Sequence, residues 1–238
     1  MSILQTVLSK ANQLSDCEFE YSRTSDFGYL NTQGTDCTAI VMEATVIYFE
    51  MKNPELWLKT GKRLAARVYK IYYHTLVEVA KRSGAYLNCY SPSSFLLIYP
   101  KDKHDVAVPV DTALRTADLL GIQMRELIEK QGHLNFAMGI DVGNILGTVV
   151  TDGNGERHVV WFGKTIDKAR TICHECLRPF FVGISGAIFH SLDEDLRTTT
   201  KRILGIKKQV DIWNRSSYQF ENVKKHLYQT NFHKPFED

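Results

Sequence analysis

The sequence predicts an α+β fold built on a β-α-β-β-α-β order, and three observations carry that prediction. The run TAIVMEATVIYFE (Thr38 to Glu50) is rich in β-branched residues and reads as a buried strand. Residues 57 to 83 and 107 to 131 repeat apolar side chains at helical spacing and end at Gly84 and Gly132. Two pairs of apolar runs flank turn residues and read as hairpins. One is YLNCYSPSSFLLIYP (Tyr86 to Pro100); the other is ILGTVV and HVVWFG joined by DGNGER.

The remaining elements follow in chain order. Leu4, Val7, Leu8, Ala11 and Leu14 share one face of a short amphipathic helix over residues 3 to 15. Residues 17 to 36 are polar, aromatic and irregular, which reads as a connector. Asn53-Pro54 breaks the chain after the first strand, and Leu64, Val68, Ile71, Leu76 and Val79 set the apolar face of the next helix. LNFAMGIDVG (Leu134 to Gly143) is a strand, residues 164 to 176 a helix, FFVGIS a strand and SGAIFHSL a short helix. RILGIKKQVDIWN closes the fold as a strand or strand pair, and the polar tail after Ser216 reads as peripheral. Two β-α-β units with antiparallel closure give a ferredoxin-like βαββαβ core with an added hairpin, helix and strands. The expected divisions are residues 1–35 (helix and connector), 36–214 (one domain) and 215–238 (tail).

The totals bound the function. The chain has 238 residues, enough to bury a sizeable core, with 44% hydrophobic and 24% charged residues. A net charge of +2, from 29 basic and 27 acidic residues, argues against a dedicated nucleic-acid or membrane-surface binder, without excluding a local basic patch. No apolar run is long enough to span a bilayer. The N-terminus lacks the pattern of a signal peptide. Five scattered cysteines fit a reducing, cytoplasmic setting.

Several local patterns carry little chemistry. Cys173-His174-Glu175-Cys176 is half a zinc site with no second pair; a lone Cys-x-x-Cys can be redox active, but ordinary partly buried cysteines are expected. Gly153-Asn154-Gly155 is a turn, since no Gly-Lys-Ser/Thr follows. KRILGIKK and NVKKH could meet an acidic partner, although such residues commonly cover solvated strands. Ser91, Ser93 and Ser94 have no His-Asp pairing that would make a nucleophile.

Several motifs together resemble the class III nucleotide cyclase catalytic domain. GIDVGNILG (Gly139 to Gly147) is similar to the family's Gly-Ile-His/Asp-x-Gly strand and turn. VVWFGKTIDKARTI (Val159 to Ile172) is similar to its Trp-Gly-x-x-Val-Asn-x-Ala-x-Arg-Leu segment, and RILGIKKQVDIW to its closing strand. ARVYKIYYHTLVEVAKRSGAYLNCYSPSSFLLIYP occupies the place of its long helix and Gly-Asp hairpin. The motif style looks most like bacterial members, among them the pyrimidine cyclases of Pycsar anti-phage defence. The resemblance implies attack of a ribose 3′-hydroxyl on an α-phosphate, with two Mg²⁺ or Mn²⁺ ions held by two aspartates. It also implies a site shared between two subunits.

Carried over residue by residue, the resemblance implies a dismantled site. The first aspartate falls at Glu43, a longer carboxylate, and the second at Ser93, preceded by Pro92 in place of glycine. Asp102 and Asp105 are the nearest compensating acids. The base-pocket positions fall at Cys89 and Val160, with Trp161 able to stack on a base. The transition-state Asn falls at Asp167 and the Arg at Thr171, with Arg170 one residue earlier; Lys164 and Lys168 are nearby cations. The expectation is therefore a degenerate cyclase homologue, dimeric with itself or with a cyclase-type subunit, acting as a regulatory or nucleotide-binding module. No cofactor is expected unless the protein is active, when Mg²⁺ or Mn²⁺ would serve. No nucleic-acid or membrane partner is expected. The alternatives are a divergent cyclase that makes a 3′,5′-cyclic nucleotide in anti-phage signalling, and a purely structural interaction protein.

Overall fold

A computed structural model describes residues 2–32, 35–52, 59, 61–123, 135–151, 154–177, 179, 181–203 and 206–235. The chain divides into two compact units, residues 1–43 with 144–164 and residues 44–143 with 165–238. The predicted Asn53-Pro54 break, the start of the helix at residue 57, and the stretch to Gly132 beyond residue 123 lie outside the described residues.

In the first unit, α1 (Ile3–Ser15) opens with a reciprocal cap between Ser2 and Gln5. The expected irregular connector contains a strand, β1 (Glu20–Arg23), and a short helix, α2 (Phe27–Thr32). β1 runs parallel to the first residues of β2 (Thr38–Lys52), Glu20 opposite Thr38. That pairing brings Cys17 and Cys37 to a Cα separation of 6.1 Å, where they form a disulfide. Leu146–Thr151 of β5 (Asn135–Thr151) pairs antiparallel with β6 (Arg157–Phe162), as the turn chemistry predicts.

The second unit holds the larger core. Its sheet runs β10-β11-β7-β5-β2-β4-β3, with β3 (Tyr86–Ser91), β4 (Ser94–Pro100), β7 (Val182–Ser185), β10 (Asn214–Phe220) and β11 (Val223–Thr230). β7 lies parallel to β5, while the β3/β4, β2/β4, β7/β11 and β10/β11 pairs are antiparallel. The tail expected at the periphery instead supplies β11, which pairs with β7 and buries Leu227, Tyr228 and Thr230. Polar residues on its exposed positions hid this alternation.

Strand alternation sorts the side chains onto two faces. Ile47, Phe49 and Met51 of β2, Phe136, Met138 and Ile140 of β5, and Val182 and Ile184 of β7 join one core cluster. Against them pack α3 (Lys62–Ser83), through Val68, Tyr72 and Leu76, and α4 (Ala107–Asp118), through Val110, Ala113 and Leu114. α3 ends at Gly84, as predicted, and α4 continues into a π-helical turn, Leu119–Gln123. Phe49 is the hub: Phe136 stacks on it at 5.7 Å, with Tyr72 and Phe95 at 5.8 and 6.2 Å.

The alternate residues of β5 and β7 meet α5 (Lys164–Glu175). Cys173 Sγ donates to Ala137 O at 3.3 Å. Gly139 and Gly183 are required here: a Cβ at Gly139 would collide with the Ala169 carbonyl and the Cys173 N–H, and one at Gly183 would meet Cys176 Sγ at 2.5 Å. α6 (Gly186–Ser191) and α7 (Glu194–Arg197) follow, then a separate hairpin of β8 (Thr198–Ile203) and β9 (Ile206–Asp211).

Gly139→Ala forces helix backbone away from the sheet, not merely a flexible side chain. The expected loss is about 3 kcal/mol in urea unfolding with an unchanged denaturant slope. A variant as stable as the parent would show that α5 does not seat on Gly139.

Candidate functional site

The carboxylate that meets the Ser-Pro-Ser-Ser turn is Glu50. Glu50 and Ser94 are cross-strand partners, and the next residue, Met51, donates its N–H to Ser93 O at 2.8 Å. Glu43 lies seven residues earlier on β2, about 23 Å of extended chain, in the first unit and exposed. Seven is odd, so alternation also directs it to the other side of the sheet. The structure therefore brings Glu50 to the turn in place of Glu43. The error was one of register: a 15-residue strand holds both glutamates, and only pairing with β4 says which reaches the turn.

Glu50 is already held by basic side chains of the protein. Lys52 Nζ lies 2.6 Å and His174 Nε2 3.3 Å from Glu50 Oε2. Lys52 shares Glu50's face because it is two residues on, and His174 comes from the last turn of α5. Tyr48, on the same face, meets the His174 ring edge-on at 6.3 Å and Tyr90 at 5.7 Å. Burial raises the pKa of Tyr48, so the phenol stays neutral. At the turn itself, the Ser91 and Ser94 hydroxyls bond each other at 2.5 Å, and Ser93 N–H donates to Ser91 Oγ at 3.3 Å.

This donor set does not fit the Mg²⁺ or Mn²⁺ that the family resemblance implies. Among the described residues it offers one carboxylate, a neutral Tyr48 phenol and three serine hydroxyls, two of which are bonded to each other. A dication about 4 Å from the Lys52 ammonium would be repelled by on the order of 8 kcal/mol at an effective dielectric of about 20. Among the described residues, no three His, Cys, Asp or Glu side chains are grouped to hold a metal. Asp102 and Asp105 follow the far end of β4, and Asp105 Oδ1 accepts from the Ala107 and Val108 N–H groups at 2.9 and 3.3 Å, starting α4.

The other predicted positions are distributed as follows. Cys89 is exposed on β3 and donates to Ser91 O at 3.4 Å. Val160 and Trp161 belong to β6 in the first unit. Val160 is exposed, but Trp161 is buried, set edge-on to Phe27, so its faces serve packing and not base stacking. Asp167 is exposed in the first turn of α5, where its carbonyl accepts from Thr171 Oγ1 at 2.8 Å. Arg170 is exposed on the same helix and Lys164 at its start. Cys173 and Cys176 are buried more fully than expected; burial pushes the Cys176 thiol up to about 12 and Cys173 upward too.

Asp141, in the Gly-Ile-Asp-x-Gly motif, is the group the sequence reading missed. It is 2% exposed, and its Oδ2 accepts no hydrogen bond among the described residues. Lys168 Nζ stands 3.7 Å from that oxygen and 5.8 Å from the centre of the Phe220 ring. Lys168 is thus half-buried and engaged. Burial raises the Asp141 pKa, and the Ser185 hydroxyl and Lys168 pull it partly back.

No protein-family model matches the sequence, and no curated protein matches it. Solved structures do. The adenylyl cyclase CyaB from P. aeruginosa is 13% identical, with a TM-score of 0.64, over 81% of this chain and 95% of that one. The dimeric guanylyl cyclase domain of the RhoGC fusion protein from the aquatic fungus Blastocladiella emersonii is 16% identical (TM-score 0.57, 81% and 98%). A class III adenylyl cyclase-like ATP-binding protein from Pseudomonas aeruginosa is 13% identical (TM-score 0.57), over 78% of this chain and 41% of that one. Likeness at these identities establishes the fold: the chain has the α+β architecture of class III cyclase domains.

The buried Asp141 yields a pH prediction with a definite sign. Its folded pKa lies above the ordinary 3.8, so the folded state binds the proton more tightly than the unfolded one. Its stabilising contribution is complete below the unfolded value and is lost as pH rises through the folded one. In urea unfolding, Asp141→Asn should therefore gain on the parent between about pH 3 and pH 7. A stability difference that does not change with pH would contradict the assignment.

Proposed function

We propose that this chain is a catalytically degenerate class III cyclase homologue that acts as a dimeric regulatory or nucleotide-binding module. One observation carries the reading. Among the described residues, the single carboxylate beside the hairpin turn is closed by Lys52 and His174, and the side chains of the turn opposite it offer only hydroxyls. A protein ammonium occupies the electrostatic role that a metal ion would fill. The helix that carries the transition-state groups in the resembling family has Asp167 and Thr171 at those positions. A carboxylate near a polyphosphate is repulsive, and a threonine brings no charge.

Two structural relatives support the rest of the reading. One is described as cyclase-like and ATP-binding, which is the behaviour of a cyclase fold that retains a ligand. Another is a dimeric guanylyl cyclase domain, and a second copy or a cyclase-type subunit is the corresponding partner here. The rival reading, a divergent cyclase that makes a cyclic nucleotide, such as a pyrimidine one in anti-phage signalling, has one observation in its favour. A carboxylate, Glu50, is retained where strand and hairpin meet.

Incubation with ATP, GTP, CTP and UTP in turn, with Mn²⁺, and mass spectrometry of the products separates these readings. The proposal expects no 3′,5′-cyclic nucleotide. A cyclic product that disappears in Glu50→Ala, or in Glu43→Ala, would overturn it and identify which glutamate serves. The binding half is tested by thermal shift. A triphosphate at 100 times its Kd stabilises by about 2.7 kcal/mol, a rise of several degrees for a chain of this size. No shift with any triphosphate would leave only a structural interaction role.

A further inference from the structure

The second unit contains a cavity of about 370 Å³ that shares no residue with the site around Glu50. It lies among α3, α4, α7 and the segment that follows β11. Val79, Ala107, Val108 and Leu196 give it aliphatic walls, and among the described residues no aromatic ring lines it. Val79 and Leu196 belong to the main core cluster and Ala107 packs against it, so the floor of the cavity is the apolar core itself. At about 30 Å³ for a water-sized group, the space holds roughly a dozen non-hydrogen atoms. Small-molecule sites are of this kind: an apolar hollow with a few placed polar groups.

The polar groups of the cavity differ in what they have left to bond. The Ser83 and Thr112 hydroxyls are committed to the buried Tyr99 hydroxyl, Ser83 at 2.8 Å. Asp111 is committed too: Arg115 Nε lies 2.6 Å from one carboxylate oxygen and Lys234 Nζ 2.6 Å from the other. Burial works against its charge, but these two cations outweigh burial and hold its pKa below the ordinary 3.8. The cations themselves retain donors, since a guanidinium carries five N–H groups and an ammonium three. Arg115 uses two, on Asp111 and on the Pro235 carbonyl, and Lys234 uses one. Arg82, the third cation on the wall, has no side-chain partner among the described residues. Asp195 is the other acid there among the described residues, and it is exposed. Three cations thus line the cavity with two acids, one of which is already neutralised.

We propose that this cavity binds a small amphipathic anion, its carboxylate or phosphate held by Arg82, Arg115 and Lys234 and its aliphatic tail laid on the core beneath. The two halves of the lining select the two halves of that ligand. Aliphatic walls without a ring suit a hydrocarbon chain, whereas a nucleobase would need a stacking partner. A neutral apolar molecule would leave the cationic donors without a partner, and a cation would meet three like charges. Asp111 holds Arg115 and Lys234 in place before a ligand arrives, so little side-chain freedom is lost on binding. The site is independent of Glu50 and of nucleotide, so its failure would leave the degenerate-cyclase reading untouched.

The test is titration calorimetry of the full chain with octanoate and octyl phosphate below their micellar concentrations, beside octanol and octylamine. The two anions should bind, and the tighter of them identifies the head group. Octanol and octylamine should bind at least about tenfold more weakly, the factor that a hydrogen bond to a charged group contributes. From butanoate to octanoate the affinity should rise by up to about fourfold per methylene, and it should level off in longer chains that outgrow the cavity. Lys234→Gln should weaken octanoate by about tenfold, and Arg82→Gln, at an exposed position, by up to about fivefold. Val108→Asp puts a negative charge on the wall at an exposed position in the first turn of α4, where an acid suits the helix dipole. It should abolish octanoate binding while melting as the parent does. Lys81→Gln, an exposed neighbour of Arg82 outside the cavity, is the control and should change nothing. Melting curves verify folding of each variant. Failure to bind either anion, equal affinity for octanol, or binding indifferent to Lys234→Gln and Val108→Asp overturns the proposal.

Discussion

Phe49 and Glu50 are neighbours in sequence and belong to opposite faces of one sheet. That alternation is the constraint on which the rest of the second unit depends. Phe49 is fully buried among Tyr72, Phe95 and Phe136, so β2 cannot slip by one residue without drawing its aromatic hub out of the core. The same pin directs Tyr48, Glu50 and Lys52 to the face that receives His174. The candidate site is therefore fixed by packing on the side of the sheet that does not contain it.

The α5 face is built for close approach and then closed by charge. Gly139 and Gly183 let the helix backbone rest on the strands. Once seated, α5 delivers His174 to Glu50 and Lys168 to Asp141. Each carboxylate on this face thus meets a basic group of the protein, by different means. Glu50 is part-exposed and closely paired, whereas Asp141 is buried with an oxygen left unbonded. A metal site would require those carboxylates to converge on an ion and the basic groups to withdraw.

Much of this architecture was legible in the residues. The β-branched run of β2, the apolar spacing of α3, the Ser-Pro-Ser-Ser hairpin and the Gly-Ile-Asp-x-Gly strand all appear as elements near their expected places. Ser93, too, stands at the turn that meets the first strand. What failed was pairing information. Which of Glu43 and Glu50 reaches the turn depends on a register with β4 that no local pattern encodes, although counting alternation outward from Phe49 would have pointed to Glu50. β11 was missed because Lys224, Lys225 and His226 mask its buried Leu227 and Tyr228. The disulfide was missed because it needs β1 beside β2, and β1 is four residues within a stretch that reads as irregular.

The central claim is that Glu50 is satisfied by Lys52 and His174 and not by a divalent ion. Titration of the full chain with Mn²⁺, followed by the electron paramagnetic resonance signal of the free ion, with and without a nucleoside triphosphate, tests it most directly. The account predicts that the protein removes no Mn²⁺ from solution beyond what the triphosphate alone binds, and that Glu50→Gln behaves identically. A protein-bound Mn²⁺ population that is lost in Glu50→Gln would contradict it.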